Sequence, residues 1–188
     1  MGRFTVFLDR DGVLNVDPRW AVFKPKRVAL LPGASEALAR LNRSDIQVAV
    51  CTNQPFLSSG LLTRKQLRRI HDRLLELLGP NCRIDRFEAA AAPGGLGHRR
   101  RKPKPGLLED AARFFAARGS PVDKSRAIMV GDRVTDLGAA TNFGIPCILL
   151  TTGADETTLR EQAKEKGWTP ADVVPDFAAA VKAIEARL

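Results

Sequence analysis

Short apolar runs alternate with longer helical segments along nearly the whole chain, and this alternation is the strongest constraint on its fold. The runs are rich in β-branched or apolar side chains and end at polar residues or glycine. Continuous apolar runs of this kind are typical of parallel strands that are covered on both faces. The predicted strands are residues 4–8, 46–51, 127–130 and 145–150, with 84–92 and 172–174 as further candidates.

The segments between these runs carry helix start and stop signals. Thr63 is a predicted N-cap with Gly79 at the end of the same helix, and Pro105 and Gly119 bound another helix. The predicted helices are residues 33–42, 63–79, 105–119, 136–144 and 176–188, with a further helix after Gly153. Alternating strands and helices predict an α/β protein of the Rossmann-like type, with a parallel sheet sandwiched between helices. In such a sheet, ligands bind at the carboxyl ends of the strands.

Length and composition fit one domain that spans residues 1–188. Apolar residues make up 44% and charged residues 27% of the chain, which is the usual balance of a globular protein. No apolar run approaches the roughly 20 residues that a membrane span needs. Met1 leads directly into a strand-like segment without the features of a secretion signal, so a cytoplasmic location is expected.

Cysteine content and net charge say less about which ligands and partners this chain can bind. Cys51, Cys82 and Cys147 are far apart and form no C-x-x-C pair, so we expect reduced, mostly buried thiols. The net charge of +9 fits nucleic acid, a phosphorylated substrate or simply a basic surface. Much of the excess lies in residues 98–105, HRRRKPKP.

Polar signatures follow four of the predicted strands, three of them directly and one, Arg101 and Lys102, past an irregular loop. Because the carboxyl ends of parallel strands meet at one edge of the sheet, we expect these side chains to lie together. Each signature alone could be a surface turn or a cap, but their shared placement argues for one site. They are Asp9 and Asp11, then Thr52 and Asn53, then Arg101 and Lys102, and finally Asp132, Arg133 and Asp136.

This set of side chains suits phosphoryl transfer. Acids from two strands can hold a hard divalent cation such as Mg²⁺, which would also neutralise the closely spaced Asp9 and Asp11. One carboxylate can attack phosphorus to form an aspartyl-phosphate, while the second protonates the leaving oxygen and later activates water. Thr52 and Lys102 would bind the equatorial phosphate oxygens, where charge concentrates in the transition state.

The signatures DRDG, TN, KP and GDRVTD resemble, in order and spacing, the four motifs of the haloacid dehalogenase (HAD) superfamily. The segments FLDRDGVLNVD, LLPGASEALARLN, TNQ, GLLTRKQLRRIHDRL and RKPKPGLL are similar to its small, cap-less branch of heptose bisphosphate and histidinol-phosphate phosphatases. The resemblance covers nearly the whole chain. It implies a HAD-type fold without a cap domain, and a monomer, since members of this branch are often monomeric.

Carried over residue by residue, the resemblance implies that Asp9 is the nucleophile and a metal ligand. Asp11 is implied to be the general acid and base, with its backbone carbonyl on the metal, and Asp132 to be the third protein ligand. Asp136 is implied to orient Lys102 or a metal-bound water. The residues implied to bind phosphate or substrate are Thr52, Asn53, Arg101, Lys102 and Arg133, with Asn15, Asp17 and Trp20 lining the substrate mouth.

The chain departs from that branch in the loop before Arg101. The branch usually carries a structural zinc there, held by a Cys-x-His pair and a Cys-x-Cys pair, whereas this loop reads AAAAPGGLGHRRRKP. His98 alone cannot make a four-ligand site, so no structural zinc is expected. Two alternatives remain open for the arginines of residues 98–104. They form a solvated basic run, or they grip a second anionic group of the substrate.

A second departure is Pro55 after TNQ, where the branch typically has serine and glycine. Proline removes a backbone N–H and a hydroxyl that could meet phosphate, and Phe56 and Leu57 would add apolar surface near the mouth. The alternative is that Pro55 only stiffens the turn.

The resemblance therefore implies a Mg²⁺-dependent phosphomonoester hydrolase for a small phosphorylated metabolite, with a sugar bisphosphate such as D-glycero-D-manno-heptose 1,7-bisphosphate as the leading candidate. The alternative is a nucleic-acid 3′-end phosphatase resembling the phosphatase domain of polynucleotide kinase/phosphatase, which the charge of +9 favours. Aromatic residues are only 6% of the chain and tyrosine is absent, which disfavours a surface for base stacking. The complete set of catalytic residues argues against a non-catalytic binding protein, and Asp11 argues against dehalogenation.

Overall fold

The computed structural model describes residues 2–17, 21–92 and 97–188, and Trp20 lies outside this part. The described strands are β1 (Phe4–Leu8), β2 (Ile46–Asn53), β3 (Arg86–Ala90), β4 (Ala127–Gly131), β5 (Cys147–Leu150) and β6 (Asp172–Val174). The described helices are α1 (Ala34–Leu41), α2 (Arg64–Leu78), α3 (Gly106–Ala116), α4 (Val134–Phe143), α5 (Glu156–Glu165) and α6 (Phe177–Glu185). Strands and helices alternate as the sequence predicts.

The strands form one parallel sheet in the order β3-β2-β1-β4-β5-β6. Because side chains alternate along a strand, each strand contributes to two cores. Val6 and Leu8 of β1 pack in the core under α1, α2 and α6, whereas Phe7 packs in the core under α3, α4 and α5. Both faces are covered, which explains why the strands are continuous apolar runs. The predicted α/β fold is confirmed.

The main differences from the predicted elements lie at their ends. β2 runs to Asn53 rather than to residue 51, because Thr52 and Asn53 pair with Ala89 and Ala90 of β3. The TN signature therefore lies on the sheet itself, not on a loop after it. Thr63 caps α2 as predicted, since its hydroxyl oxygen accepts the backbone N–H of Gln66 at 3.2 Å.

The described residues form no separate cap domain, and none of their helices is long and apolar enough to cross a membrane. Cys51, Cys82 and Cys147 are free thiols, and the first and third are buried in the sheet. The connections that leave β1, β2, β3 and β4 start from the same edge of the parallel sheet. This edge carries the predicted site residues.

Candidate active site

Asp9 directly follows β1 and is 8% exposed. Its backbone N–H donates to the carbonyl of Val130 in β4 at 2.9 Å, so the strand ladder carries it to the edge of the sheet. Gly12, at φ 78°, then reverses the chain, and its N–H donates to the Asn15 carbonyl at 2.8 Å. This turn holds Asp9 and Asp11 at the carboxyl end of an inner strand.

Lys102 lies between two of the predicted acids. Its side chain is buried, and its ammonium lies 3.0 Å from Asp9 Oδ1 and 2.5 Å from Asp136 Oδ1. It also donates to the Cys51 carbonyl at 2.8 Å. Burial alone would lower the pKa of Lys102, but the carboxylates of Asp136 and Asp9 outweigh it and raise this pKa. Lys102 is therefore held as a cation beside Asp9.

Asp132 and Asp136 approach Asp9 from the start of α4. Carboxylate oxygens of these three buried residues lie within 4.8 Å of one another. Asp136 is already engaged, because it contacts Lys102 and its Oδ2 accepts the Arg133 backbone N–H at 3.1 Å. Asp132 is different, since both of its carboxylate oxygens are buried without a hydrogen-bond donor. A buried carboxylate in that state needs a cation or a proton.

Two glycines leave room for the Asp132 carboxylate. A Cβ atom added to Gly12 would lie 2.2 Å from Asp132 Oδ2, and one added to Gly153 would lie 2.5 Å from the same oxygen. Both separations are far below a van der Waals contact, so a larger residue at either position would displace the carboxylate. The lack of a Cβ atom at Gly12 and Gly153 thus leaves the space that the Asp132 carboxylate occupies.

Burial perturbs two acids of this cluster strongly. It raises the pKa of Asp9 to about 7 and that of Asp132 to about 8, and the negative charge of Asp136 adds to both effects while Lys102 opposes them. The raised pKa values favour the protonated acids. A divalent cation bound among these oxygens would instead favour the ionised carboxylates. The donor set, which consists of buried carboxylate oxygens, fits a hard cation such as Mg²⁺.

Asp11 lies in a different environment, surrounded by donors. Its carboxylate accepts from Arg10 Nη2 at 2.8 and 3.0 Å, from Asn15 Nδ2 at 2.8 Å and from Gln54 Nε2 at 3.1 Å. Gln54 Nε2 also donates to Thr52 Oγ1 at 3.0 Å. Asp11 and Thr52, which the sequence assigns to two separate signatures, are therefore linked through Gln54.

Asn53 and Arg101 both bind backbone groups in this structure. The Asn53 side chain donates to the Lys102 carbonyl at 3.2 Å and accepts the Lys102 backbone N–H at 3.1 Å. The Arg101 guanidinium donates to the Ala92 carbonyl at 2.8 Å. Both residues thus fix the segment that carries Lys102, and their role in phosphate binding stays a prediction.

Arg133 and Asp17 form an ion pair between the start of α4 and the segment after β1. Their side chains are 63% and 30% exposed, so the pair is accessible to solvent. The family resemblance implies that Arg133 contacts the substrate and that Asp17 lines the substrate mouth, and the ion pair brings these two side chains together. Whether they touch the substrate stays a prediction.

Arg99 and Arg100 are paired with acids of α3 and β3. Arg99 contacts Glu109 at 2.6 Å and Asp110 at 2.7 Å, while Arg100 contacts Asp110 at 2.7 Å and the buried carboxylate of Glu88. These ion pairs fasten the segment before Arg101 and Lys102 to the body of the domain. Arg99 and Arg100 are therefore paired with acids of this chain, and whether either of them also binds an anionic group of the substrate stays a prediction.

Pro55 begins a short 3-10 turn, Pro55–Leu57. Phe56 packs on Phe23 with ring centroids 5.1 Å apart, and Phe56 and Leu57 both pack half-buried against the core. Because both side chains keep part of their surface exposed, the expectation that they add apolar surface to the mouth stays a prediction. Their packing fits the alternative in which Pro55 stiffens the turn.

Comparison with known proteins identifies relatives over most of the chain. A family model described as HAD-hydrolase-like matches residues 99–180. The D-glycero-beta-D-manno-heptose-1,7-bisphosphate 7-phosphatase of Bordetella bronchiseptica is 34% identical, over 86% of this chain and 88% of that protein. A protein of the same name from Rhodopseudomonas palustris is 35% identical, over 77% of this chain and 81% of its own length. The chain belongs to the HAD-like phosphatases.

The solved structures agree with this assignment. The crystal structure of the B. bronchiseptica D,D-heptose 1,7-bisphosphate phosphatase, complexed with magnesium and phosphate, matches with a TM-score of 0.83 and 31% identity. The match covers 98% of this chain and 99% of that chain. As a HAD-like phosphatase, this protein is a phosphoric monoester hydrolase, and the predicted family and enzyme class are confirmed.

Two residues that bind Asp11, Arg10 and Gln54, and a third that contacts Arg10, His71, were not predicted as site residues of this HAD-like phosphatase. Arg10 and Gln54 stand beside predicted ones, but nothing in the sequence shows that their side chains turn towards Asp11. His71 had a weaker signal, a polar residue among the core positions Leu67 and Leu74 of α2. Its contact with Arg10 depends on which strand α2 covers, and a local sequence pattern does not predict that.

Proposed function

We propose that this phosphatase removes a phosphate from D-glycero-D-manno-heptose 1,7-bisphosphate, in a Mg²⁺-dependent reaction that passes through an aspartyl-phosphate on Asp9. The relatives named for that substrate support its choice. The mechanism rests on one observation above all. Asp9 lies 3.0 Å from the buried ammonium of Lys102 and within 4.8 Å of Asp132, a carboxylate without any donor.

Asp9 and Asp132 would hold the cation together with the backbone carbonyl of Asp11, which is the ligand set that the family resemblance implies. When bound, Mg²⁺ would neutralise the buried acids and polarise the phosphate towards attack. Asp136 is the poorer candidate ligand, because its oxygens already serve Lys102 and the Arg133 backbone. It would instead hold Lys102 in place.

In the first step, a carboxylate oxygen of Asp9 attacks phosphorus. The bond from phosphorus to the sugar oxygen breaks, its electron pair stays on that oxygen, and Asp11 supplies the proton that the oxygen takes up. Lys102 offsets the repulsion between the Asp9 carboxylate and the phosphate oxygens. Thr52 Oγ1 accepts from Gln54, so the hydroxyl proton of Thr52 can be donated to the phosphate.

In the second step, water attacks phosphorus and gives its proton to Asp11. The bond between phosphorus and Asp9 breaks, and its electron pair returns to the Asp9 carboxylate. Inorganic phosphate leaves, and Asp11 is again protonated for the next cycle. The chain's own acids thus carry out both half-reactions, with Asp9 changing its covalent state and Asp11 its protonation state.

The test is phosphate release with Mg²⁺ from the heptose bisphosphate, hexose bisphosphates, histidinol phosphate, nucleotides and a 3′-phosphorylated oligonucleotide. We expect the highest kcat/KM with the heptose bisphosphate and no release by Asp9→Asn. A preference for histidinol phosphate or another small phosphate would reject the substrate but keep the mechanism. A preference for the oligonucleotide that weakens steeply with salt would support the end-processing alternative. Full activity of Asp9→Asn would reject the mechanism.

A further inference from the structure

Arg10 is a fully buried arginine between the two catalytic candidates, with only 1% of its surface exposed. Its guanidinium meets the Asp11 carboxylate on two sides, with Nε at 3.2 Å from Oδ1 and Nη2 at 2.8 Å from Oδ2. Such a two-point contact fixes the rotation of a carboxylate as well as its position. The orientation of Asp11 therefore depends on the orientation of Arg10.

The other end of the guanidinium meets His71 of α2. Arg10 Nη1 lies 3.4 Å from His71 Nε2, and the imidazole stacks on Phe87 of β3 with ring centroids 4.2 Å apart and planes 17° apart. Arginine carries only donors, so Nε2 must be the acceptor and the ring neutral. Burial, helped by the charge of Arg10, lowers the pKa of His71 to about 3, which agrees with this geometry.

We propose that Arg10 and His71 are positioning residues for Asp11: His71, seated on Phe87, fixes the Arg10 guanidinium, and the guanidinium fixes the angle at which Asp11 meets the leaving oxygen. This inference rests on the proposed function, because it assumes that Asp11 is the general acid. It assigns a role in the reaction to a helix residue that does not touch Asp11.

The contacts distinguish this role from core packing. A buried guanidinium could be satisfied by any acceptor, yet Arg10 is divided between one carboxylate and one neutral ring. Asn15 and Gln54 bind Asp11 from other sides, at 2.8 and 3.1 Å, so removing the His71 contact should misalign the carboxylate rather than release it. Loss of alignment should affect the proton transfer and leave phosphate binding intact.

The test compares two substrates that differ in their need for a general acid. The heptose bisphosphate loses an alkoxide, which needs a proton, whereas 2,4-dinitrophenyl phosphate loses a stable phenolate. For His71→Leu we expect kcat/KM on the heptose bisphosphate to fall at least about tenfold, a part of the roughly 10²–10⁴ that general acid catalysis contributes. On the dinitrophenyl ester, kcat/KM should change by less than about twofold, because it reports only the steps up to loss of the phenolate, which does not use the general acid.

The ratio of the two kcat/KM values does not depend on the fraction of folded enzyme, so partial misfolding cannot imitate the effect. His71→Gln offers an amide oxygen to Arg10 and should restore most of the ratio. Leu74→Ala, one turn further along the buried face of α2, is the matched control for packing loss and should leave the ratio unchanged. An unchanged ratio in His71→Leu would overturn the inference. Failure of the wild-type enzyme on both esters would instead reject the proposed function.

Discussion

The carboxylate of Asp136 lies 2.5 Å from the ammonium of Lys102, and both side chains are almost completely buried. The two residues come from different signatures of the sequence, one before α3 and one in the first turn of α4. Because Lys102 also reaches Asp9 at 3.0 Å, the position of Asp136 fixes the distance between the cation and the candidate nucleophile. Three segments of the chain therefore supply the charged groups that surround Lys102 in this site.

Lys102→Met should be severely impaired in turnover, because the methionine keeps the shape of the stem but leaves the phosphate without its cation. We expect kcat to fall by about 10²–10³, the scale for removing one group that stabilises transition-state charge. Asp136→Asn should lose less, since asparagine can still accept from the ammonium. Steady-state kinetics on the heptose bisphosphate would check this, and a smaller effect of Lys102→Met than of Asp136→Asn would contradict it.

Gly153→Ala should weaken magnesium binding, because the new Cβ would lie 2.5 Å from Asp132 Oδ2 and displace that carboxylate. We expect a higher Mg²⁺ concentration at half-maximal activity and a smaller rise in melting temperature on adding Mg²⁺. Gly2→Ala is the matched control, since the nearest atom to its Cβ is 4.0 Å away. An unaltered magnesium titration in Gly153→Ala would show that Asp132 does not need this space.

Asp132→Asn should stabilise the magnesium-free protein at neutral and mildly alkaline pH. Burial raises the pKa of Asp132 to about 8, whereas an unfolded aspartate titrates near about 3.9. Between these values the folded protein binds a proton that the unfolded chain does not, so the free energy of unfolding falls as pH rises. Above about pH 8 the variant should be more stable by at least about 1.4 kcal/mol, the equivalent of one pKa unit.

Urea unfolding in EDTA at about pH 5 and at about pH 8 would measure this difference. We expect the wild-type protein to lose more stability than the variant between the two conditions. We also expect Mg²⁺ to restore stability to the wild-type protein and to leave Asp132→Asn unchanged. An identical pH dependence of the two proteins would contradict the assignment of Asp132 as a buried, unpaired acid.

Arg100→Ala should lower stability and leave substrate binding intact, because the guanidinium serves the buried Glu88 and Asp110. We expect a loss of about 1–3 kcal/mol, because Oε2 of the buried Glu88 loses its donor while Arg86 still binds Oε1. Arg113→Ala removes an exposed partner of the same Asp110 and should cost under about 1 kcal/mol. Chemical denaturation and KM would be measured together. A raised KM in a stable Arg100→Ala would support the alternative in which Arg100 binds an anionic group of the substrate.

We also predict no stoichiometric zinc in the purified protein.

The sequence predicts the fold well because the fold depends on local patterns. The apolar run of β1 needs no partner to be recognised, and Thr63 and Gly79 mark the ends of α2 through backbone geometry alone. The strand order depends on contacts between segments that are distant in the sequence. The carboxyl ends of parallel strands nevertheless lie at one edge of the sheet, and this was enough to predict that Asp9, Lys102 and Asp132 lie together.

Side-chain partners at long range could not be predicted in the same way. The arginines at positions 99 and 100 look like a solvated or substrate-binding run until α3 and β3 supply Asp110 and Glu88. In the sequence, Arg10 is only the residue between two aspartates. Its contact with His71 of α2 is visible only in the folded structure. In each case the acceptor belongs to another helix or strand, and no periodicity encodes its direction.

The most direct test of the mechanism is to trap the covalent intermediate on Asp9. In Asp11→Asn the second step should be slow, while 2,4-dinitrophenyl phosphate still reacts in the first step. Acid quenching and borohydride reduction would convert an aspartyl-phosphate to homoserine, which mass spectrometry would locate. We predict homoserine at position 9 and at no other aspartate. Release of dinitrophenolate with an unmodified Asp9 would contradict nucleophilic attack by this residue.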